Sequence, residues 1–281
     1  MAFSKKSCMW KVITLLTDFG LSDPYPALMK GVILSINPEA IIIDISHSID
    51  KFNVRMGAFI LAYAVDYFPE KSIHIAVVDP GVGTARKPLI IECFKGYLIG
   101  PDNGLLIPAA EKLGIREVYE IDLSKISTSY TSQTFHGRDV FAPIAAKISK
   151  GESPDLFGKP YSDYVKLILP KPKIAGEYIL GEVLYVDSFG NLVTNIDNSA
   201  IKALGIKIGD FLLIETVNGS FRVKFAKAYG DVEQGSPLAI IDSFGRLELA
   251  VNLGNGSKFF QLKVGDAVKI STVNDISRRI E

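Results

Sequence analysis

The sequence predicts an α/β amino-terminal domain with a mostly parallel sheet, followed by a smaller all-β, barrel-like carboxyl-terminal domain. Short buried strands alternate with helices up to about residue 80, which is typical of a parallel sheet covered on both faces. After residue 177 the pattern changes to short strands separated by turn signals. Gly and Pro are frequent over residues 150–174, which indicates a connecting segment. We therefore place the domains at 1–170 and 177–281, with a linker at 171–176.

The elements of the first domain follow from apolar runs, helical spacing and stop signals such as Asn37-Pro38. Strands are predicted at Lys11–Leu16, Ile41–Ile45, Ile73–Val78, Leu89–Phe94, Tyr97–Ile99 and Glu117–Ile121. Helices are predicted at Tyr25–Ile36 and Val54–Tyr67, in a short segment ending at Leu113, and at Val140–Ser149 with Asp139 as its cap. We interpret Ser124–Thr134 as a loop and Leu167–Leu169 as an edge strand.

In the second domain the turn signals Asn218-Gly219 and Lys263–Asp266 help to separate the strands. The strands are predicted at Tyr178–Val186, Leu192–Asn195, Phe211–Val217, Ser220–Ala226, Leu238–Ile241, Arg246–Val251 and Ala267–Ile270. Such regularly spaced short strands favour a small barrel or sandwich.

Composition excludes several classes of protein. Apolar residues make up 48% of the 281, which is enough for a large core. Thirty-one basic and 31 acidic side chains balance, so no global charge favours nucleic acid or an anionic membrane as partner. The two cysteines, Cys8 and Cys93, are too few for a disulfide framework and suggest the reducing cytoplasm. The first apolar run, Val12–Leu16, is too short for a signal peptide or a membrane span.

Asp79 is the first candidate for chemistry, because it follows a buried strand and precedes the glycine-rich turn Pro80–Thr84. A carboxylate at this end of a strand is where an open α/β sheet keeps its ligand site. Arg86 lies seven residues on, close enough along a folded loop to pair with Asp79. The alternative, that Asp79 only forms a turn or caps a helix, stays open at this point.

The three histidines differ in their surroundings. His74 lies inside a buried strand and His47 in a serine-rich turn, and both favour structural roles. His136 lies between a loop and a helix start, beside Gly137, which lets a ligand approach closely. We therefore select His136 as a site residue. No two histidines have the spacing of metal ligands, so we expect no metal.

Two further stretches offer binding groups. Asp18 ends the first strand, where a carboxylate can accept hydrogen bonds from a ribose diol, whereas Asp102 favours a simple turn. Phe189 and Asn191 combine an aromatic face with an amide that could read an adenine edge, although an ordinary hairpin turn explains them too. Phosphate-loop, dinucleotide-binding and α/β-hydrolase motifs do not occur.

Eight short motifs together resemble the S-adenosyl-L-methionine (SAM) hydrolases, also called SAM hydroxide adenosyltransferases, which are relatives of the fluorinase and chlorinase. They run in family order from Thr17 to Gly256: TDFG, DISHSI, GAF, VVDPGVGT, PDNG, FHGRDVFAP, VDSFGNLVTN and DSFGRLELAVNLGNG. Each motif is weak by itself, but eight in order are specific. The resemblance implies the fold described above and a homotrimer that holds SAM between one subunit's amino-terminal domain and its neighbour's carboxyl-terminal domain.

The resemblance also implies roles for single residues. Asp79, Arg86 and His136 correspond to the catalytic set of the hydrolases. The halogenases typically carry tyrosine at the position of Asp79 and a halide-binding serine at that of Gly137, so water should be the nucleophile here. The resemblance assigns Asp18 to the ribose. It assigns the adenosine to Phe52, Phe189, Asn191 and the backbone near Leu253, and the methionine part to Asp23, Asp187 and Ser243. Phe244 departs from the arginine of the halogenases.

The expected reaction is hydrolysis of SAM to adenosine and L-methionine, with SAM as substrate and no cofactor. Attack would occur in line at C5′ of the ribose. A non-catalytic module that senses SAM or adenosine is the alternative from another class, and halogenation is a second enzymatic alternative.

Overall fold

The structure, a computed structural model, describes residues 12–126 and 132–273. Contacts between Cα atoms divide the chain into two units, Met1–Leu169 and Pro170–Glu281. Within the described ranges no helix has the length and apolar character needed to cross a bilayer.

The first unit alternates strands and helices along its first half. In chain order its elements are β1 (Val12–Thr17), α1 (Tyr25–Ile36), β2 (Ile41–Ser46), α2 (Val54–Ala64), β3 (Ser72–Val77), β4 (Pro88–Cys93), β5 (Gly96–Pro101), α3 (Ile107–Leu113), β6 (Ile115–Ile121), α4 (Ala142–Ser149) and β7 (Gly158–Pro160). The predicted helix at 25–36 is confirmed at both ends, and the one at 54–67 ends in a 3₁₀ turn over Val65–Tyr67.

The strands of this unit form one sheet in the order β2-β1-β3-β5-β4-β6-β7. β2, β1, β3 and β5 are parallel neighbours, and the β4–β5 hairpin places β4 antiparallel between β5 and β6. In the described residues only β4 and β7 oppose the common direction, which confirms the predicted mostly parallel sheet. β1 and β3 are buried along their whole length because helices cover both faces of a central parallel strand.

Two predictions around the first unit are wrong. Asp139 does not cap a helix, because Gly137–Phe141 forms a π-helical turn that runs directly into α4. Its carboxylate instead accepts a hydrogen bond from the backbone of Ser132 and pairs with Arg138. Leu167–Leu169 does not form a strand. The predicted loop at 124–134 overlaps a 3₁₀ turn at Leu123–Lys125, and residues 127–131 lie outside the described part.

The second unit is built from mostly antiparallel strands, with β12 and β13 (ranges below) as a parallel pair, and it has two short α-helices in its described part. Its elements are β8 (Lys173–Ala175), β9 (Tyr178–Val186), β10 (Leu192–Asp197), α5 (Asn198–Ala203), β11 (Phe211–Thr216), β12 (Gly219–Phe225), β13 (Pro237–Ile241), β14 (Arg246–Val251), α6 (Gly256–Phe260) and β15 (Ala267–Thr272). All seven predicted strands are present within one or two residues of their predicted ends.

Strand pairing closes this unit into a barrel. The order β10-β14-β13-β12-β11-β15-β9 returns to its start because β9 also pairs with β10, and β8 adds to β9. The predicted barrel-like domain is therefore confirmed. Helices α5 and α6 were not predicted, since five or six residues are too few for a periodic apolar pattern.

Candidate active site

Neighbouring strands of the first unit bring two carboxylates to one edge of the sheet. Thr17 at the end of β1 stands opposite Val77 at the end of β3, so Asp18 and Asp79 leave the sheet side by side. Asp18 is 6% exposed, and its Oδ2 accepts a hydrogen bond of 2.9 Å from the backbone of Phe52. The side chain of Lys51 donates to the carbonyl oxygen of Asp18. The backbone carbonyl and one carboxylate oxygen of Asp18 are thus each held by a hydrogen bond, although the residue lies in a loop.

Asp79 and Arg86 form a buried, two-point ion pair. Nε of Arg86 donates to Oδ2 of Asp79 at 2.9 Å and to Oδ1 at 3.1 Å, and Nη2 donates to Oδ2 as well. Their side chains are only 8% and 5% exposed, for Arg86 and Asp79 respectively. The loop folds back because Thr84 donates to the carbonyl of Gly81 and accepts from the backbone of Arg86.

His136 completes the group. Its Nδ1 lies 2.9 Å from Nη2 of Arg86. Because a guanidinium only donates, Nδ1 must accept, and the ring proton sits on Nε2. Burial, followed by the charge of Arg86, lowers the pKa of His136 from its usual value of 6.5. The imidazole is therefore neutral at pH 7 and presents an N–H to its surroundings.

Packing behind these three residues fixes their orientation. The ring of Phe141 lies edge-on to His136, with 6.3 Å between centroids, and Cζ of Arg86 lies 5.8 Å from the centre of the same ring. Phe141 is fully buried. Arg138 stacks over Phe135 at 5.1 Å and pairs with Asp139, which ties down the turn that carries His136.

Asp18, Asp79 and His136 open onto one cavity of about 450 Å³. Its lining residues are Asp18, Phe19, Asp23, Tyr25, Lys51, Phe52, Val77, Asp79, Val82, Thr134, Phe135, His136 and Gly137. Arg86 is not in the lining and supports Asp79 and His136 from behind. A cavity of this size suits a ligand of a few tens of atoms.

Sequence reasoning missed the aromatic wall of this cavity. Phe19, Tyr25 and Phe135 pack edge to face, with ring centroids 5.1–5.7 Å apart. Phe19 and Phe135 belong to the TDFG and FHGRD motifs. The motifs therefore indicated that the two residues matter, but not whether they line a site or pack in the core. Lys51 was missed as well, and nothing in the sequence distinguishes it from a surface lysine.

Apart from Leu253, the candidate residues of the second unit lie on or directly after two turns of the same sequence, Asp-Ser-Phe-Gly. Oδ1 of Asp187 accepts from the backbone of Phe189 and Asn191, and Oδ2 accepts from the amide of Asn191. Gly190 has φ +88°, and a Cβ there would approach the side chain of Asn255 to 2.1 Å, so only glycine fits. This turn leaves the ring of Phe189 76% exposed.

The second turn repeats this design before β14. Oδ1 of Asp242 accepts from the backbone of Phe244 and Arg246, both at 2.8 Å, which holds Ser243 and Phe244 at the tip. Burial is the main reason that the pKa of Asp242 is raised, and the nearby Asp187 adds to it. The first turn leads into β10 beside the end of β14, because Leu192 pairs with Leu249, and the second leads into β14 beside the end of β10, because Arg246 pairs with Asp197.

Phe52 and Leu253 share a strained backbone. Their φ angles are +65° and +51°, in the left-handed region that disfavours large side chains. Both side chains are also exposed, by 67% and 81%. A large apolar side chain that is exposed on a strained backbone is compatible with the binding roles expected for these two residues.

The described residues contain no group of three or more His, Cys, Asp or Glu side chains arranged to hold a metal ion. The expectation that the reaction needs neither a metal nor a cofactor remains a prediction.

Comparison with protein families supplies the decisive observation. Residues 13–158 match the SAM hydroxide adenosyltransferase N-terminal domain, and residues 181–269 match the corresponding C-terminal domain. The chain belongs to the SAM hydroxide adenosyltransferase family. This confirms the resemblance seen in the sequence motifs.

Relatives of this chain carry two different names. The (R)-S-adenosyl-L-methionine hydrolase of Methanocaldococcus jannaschii is 38% identical, over 92% of this chain and 95% of that protein. The protein of the same name from Salinispora tropica is 36% identical, over 92% and 97%. A fluorinase of Actinoplanes is 28% identical over 92% and 97%, and is thus more distant.

Solved structures share the fold of this family member. A crystal structure of an uncharacterized conserved protein from Thermotoga maritima matches with a TM-score of 0.88 and 40% identity, covering 92% of this chain and 99% of that one. A conserved hypothetical protein from Thermus thermophilus matches with a TM-score of 0.73 and 32% identity, covering 94% and 100%.

Proposed function

We propose that this chain hydrolyses SAM to adenosine and L-methionine, with water or hydroxide attacking C5′ of the ribose in line with the carbon–sulfur bond. The single observation that supports this best is the joined set of Asp79, Arg86 and His136 beside a cavity that Asp18 also lines. The hydrolase names of relatives at 36–38% identity support the same reaction.

The main task of the protein in this reaction is to position the nucleophilic oxygen and the substrate. A bond forms between the nucleophilic oxygen and C5′, the bond from C5′ to sulfur breaks, and sulfur keeps the electron pair. The sulfonium leaves as a neutral thioether, so it needs no proton and no cofactor. Holding the oxygen in line with that bond can lower the barrier by several kcal/mol, on the order of 7–11 in the best cases.

The three residues divide the work. Asp79 is the acceptor among them, so it takes a hydrogen bond from the attacking water and then its proton, which passes on to solvent. His136 donates from Nε2 to the same oxygen, since Nδ1 is occupied by Arg86. Arg86 locks both partners in place. Its Nη1 is buried and has no acceptor among the described residues, so the locking depends on Nε and Nη2.

We propose that substrate contacts come from both units. Asp18 holds the ribose hydroxyls, Asp23 the methionine part and Phe52 the adenine, because all three line the cavity. Phe189, Asn191 and the backbone at Leu253 contact the adenosine, and Asp187, Ser243 and the backbone of Phe244 the methionine part. The exposed rings and strained backbone described above support these assignments.

We further propose a cytoplasmic homotrimer in which one subunit's first unit and its neighbour's second unit enclose SAM. Exposed apolar side chains support association. The edge strand β2 leaves Ile41 49% and Ile43 39% exposed, and such an edge is a template for pairing with another chain.

Turnover of SAM in ¹⁸O-labelled water tests the reaction. We expect adenosine that carries the label at O5′, together with methionine in equal amount. Unlabelled adenosine would refute attack by water. Tight binding of SAM without turnover would instead indicate a sensor.

A chloride-dependent 5′-halogenated product would indicate a halogenase. The structure gives a reason against that outcome. A Cβ at Gly137 would come within 3.2 Å of Met29 and Phe135, so a serine there requires both to move.

A further inference from the structure

A second histidine, His47, lies behind the candidate ribose-binding residue Asp18. Nδ1 of His47 is 2.8 Å from Oγ1 of Thr17, the residue just before Asp18. Thr17 is fully buried and His47 is 4% exposed. The bond joins the end of β1 to the loop after β2, across 30 positions of sequence.

The direction of this bond follows from its neighbours. Nε2 of His47 lies 3.0 Å from Oδ1 of Asp44, in an approach too bent for a full hydrogen bond. Because a carboxylate only accepts, the ring proton sits on Nε2 and Nδ1 is the acceptor. The hydroxyl hydrogen of Thr17 therefore points to His47. Its lone pairs remain for the backbone N–H of Phe19, which lies 3.2 Å away.

Asp44 anchors the far end of this chain of contacts. Partial burial acts to raise the pKa of Asp44. The hydrogen bond from Lys30 and the contact with His47 act to lower it and together outweigh burial, so the pKa lies below its usual value. The 2.6 Å contact with Lys30 keeps the carboxylate charged and in place.

His47 also holds the far side of the turn. Its carbonyl oxygen accepts a hydrogen bond of 2.7 Å from the backbone of Gly20. Thr17 and Gly20, on either side of Asp18 and Phe19, are thus both tied to one histidine. The carboxylate of Asp18 has a single protein donor among the contacts described, the backbone of Phe52, so its aim depends on how this turn is held.

We propose that His47 is a positioning residue, which acts through Thr17 to aim the carboxylate of Asp18 at the ribose diol. This role rests on the function proposed above. A contact with the ribose exists in the bound substrate and in the transition state alike, so its loss raises KM and leaves kcat nearly unchanged.

The chain contains a matched control for this proposal. Thr14, on the same strand and equally buried, makes the same 2.8 Å contact with Nδ1 of a buried histidine, His74. Thr14→Val and Thr17→Val each remove one buried hydroxyl from β1, so they should lower the thermal midpoint by similar amounts. Thr17→Ser keeps the hydroxyl and serves as the rescue variant.

The measurements are KM and kcat for SAM, and the dissociation constant of adenosine by calorimetry. We expect T17V to raise the KM for SAM and the dissociation constant of adenosine about tenfold, as for the loss of one well-placed hydrogen bond. T14V and T17S should keep both constants near the wild-type values. Equal effects of T17V and T14V, or no rescue by T17S, would overturn the proposal. Wild-type protein that binds adenosine but does not hydrolyse SAM would refute the proposed function alone, because the adenosine comparison of T14V, T17V and T17S still tests the Thr17 link through which His47 acts.

Discussion

Replacing Phe52 by glycine should weaken substrate binding without weakening the fold. Phe52 has φ +65°, its ring is 67% exposed, and its backbone N–H donates to Asp18. Glycine adopts this φ without strain and keeps that N–H. The only loss is the ring, which we assign to the adenine.

The magnitudes follow from these observations. A side chain in the left-handed region costs about 1–2 kcal/mol, and glycine's extra freedom in the unfolded chain costs about 0.5–1 kcal/mol. The Phe52→Gly protein should therefore be as stable as the wild type or more stable by up to about 1.5 kcal/mol. Loss of a stacked ring costs about 0.5–1.5 kcal/mol of affinity, or roughly a two- to tenfold rise in KM for SAM.

Two further variants separate the effect of backbone strain on stability from the effect of the lost ring on substrate binding. Phe52→Ala loses the ring but keeps the strain, so its free energy of unfolding should lie about 1 kcal/mol below that of the glycine variant. Lys71 is exposed with φ +67° and lies outside the cavity, so Lys71→Gly should reproduce the stability effect with no change in KM. Urea unfolding and steady-state kinetics measure both quantities. An unchanged KM for Phe52→Gly, or a stability as low as that of Phe52→Ala, would refute the reasoning.

Three further predictions concern charge. Asp79→Asn removes the proton acceptor and should lower kcat by about 10²–10⁴-fold with little change in KM, measured by release of adenosine. Arg86→Lys cannot bridge Asp79 and His136 with one ammonium, so kcat should fall at least about tenfold while the fold survives in a thermal scan. Burial lowers the pKa of His74 from 6.5 to about 4. The neutral histidine therefore makes its full contribution to the free energy of unfolding above pH 6.5, and that free energy falls by about 3 kcal/mol as the pH drops to about 4. His74→Gln should flatten that part of the pH–stability curve; an unaltered slope would contradict the assignment.

The sequence was most informative where a strand ends. Thr17 and Val77 end buried apolar runs, and the parallel register that such runs favour brought Asp18 and Asp79 together. The pairing of Asp79 with Arg86 was also predictable, because the turn-forming sequence between them folds the chain back and brings the two side chains close together. His136 reaches them from 50 positions away, and its residue type and setting alone indicated a site.

Tertiary contacts decided what the sequence could not. The turn at Gly137–Phe141 is π-helical, and Asp139 within it accepts a hydrogen bond from Ser132 and pairs with Arg138 instead of capping a helix. Similarly, Phe135 looked like any core aromatic, and only packing against Tyr25 makes it part of a cavity wall. The cavity wall is not encoded in a short window of sequence, because Tyr25 and Phe135 lie far apart in the chain.

The structure also removes a difficulty with the proposed reaction. Two cationic groups beside a sulfonium substrate would oppose its binding, and the sequence alone suggests two in Arg86 and His136. In the structure the charge of Arg86 is matched by Asp79 at two points, and His136 is neutral because its Nδ1 accepts from that same arginine. With the pair neutralised, Asp18 and Asp23 outnumber Lys51 around the cavity. This leaves an excess of negative charge for a substrate whose sulfonium and ammonium together exceed its one carboxylate. Asp79, Arg86 and His136 can therefore lie beside the sulfonium without repelling it.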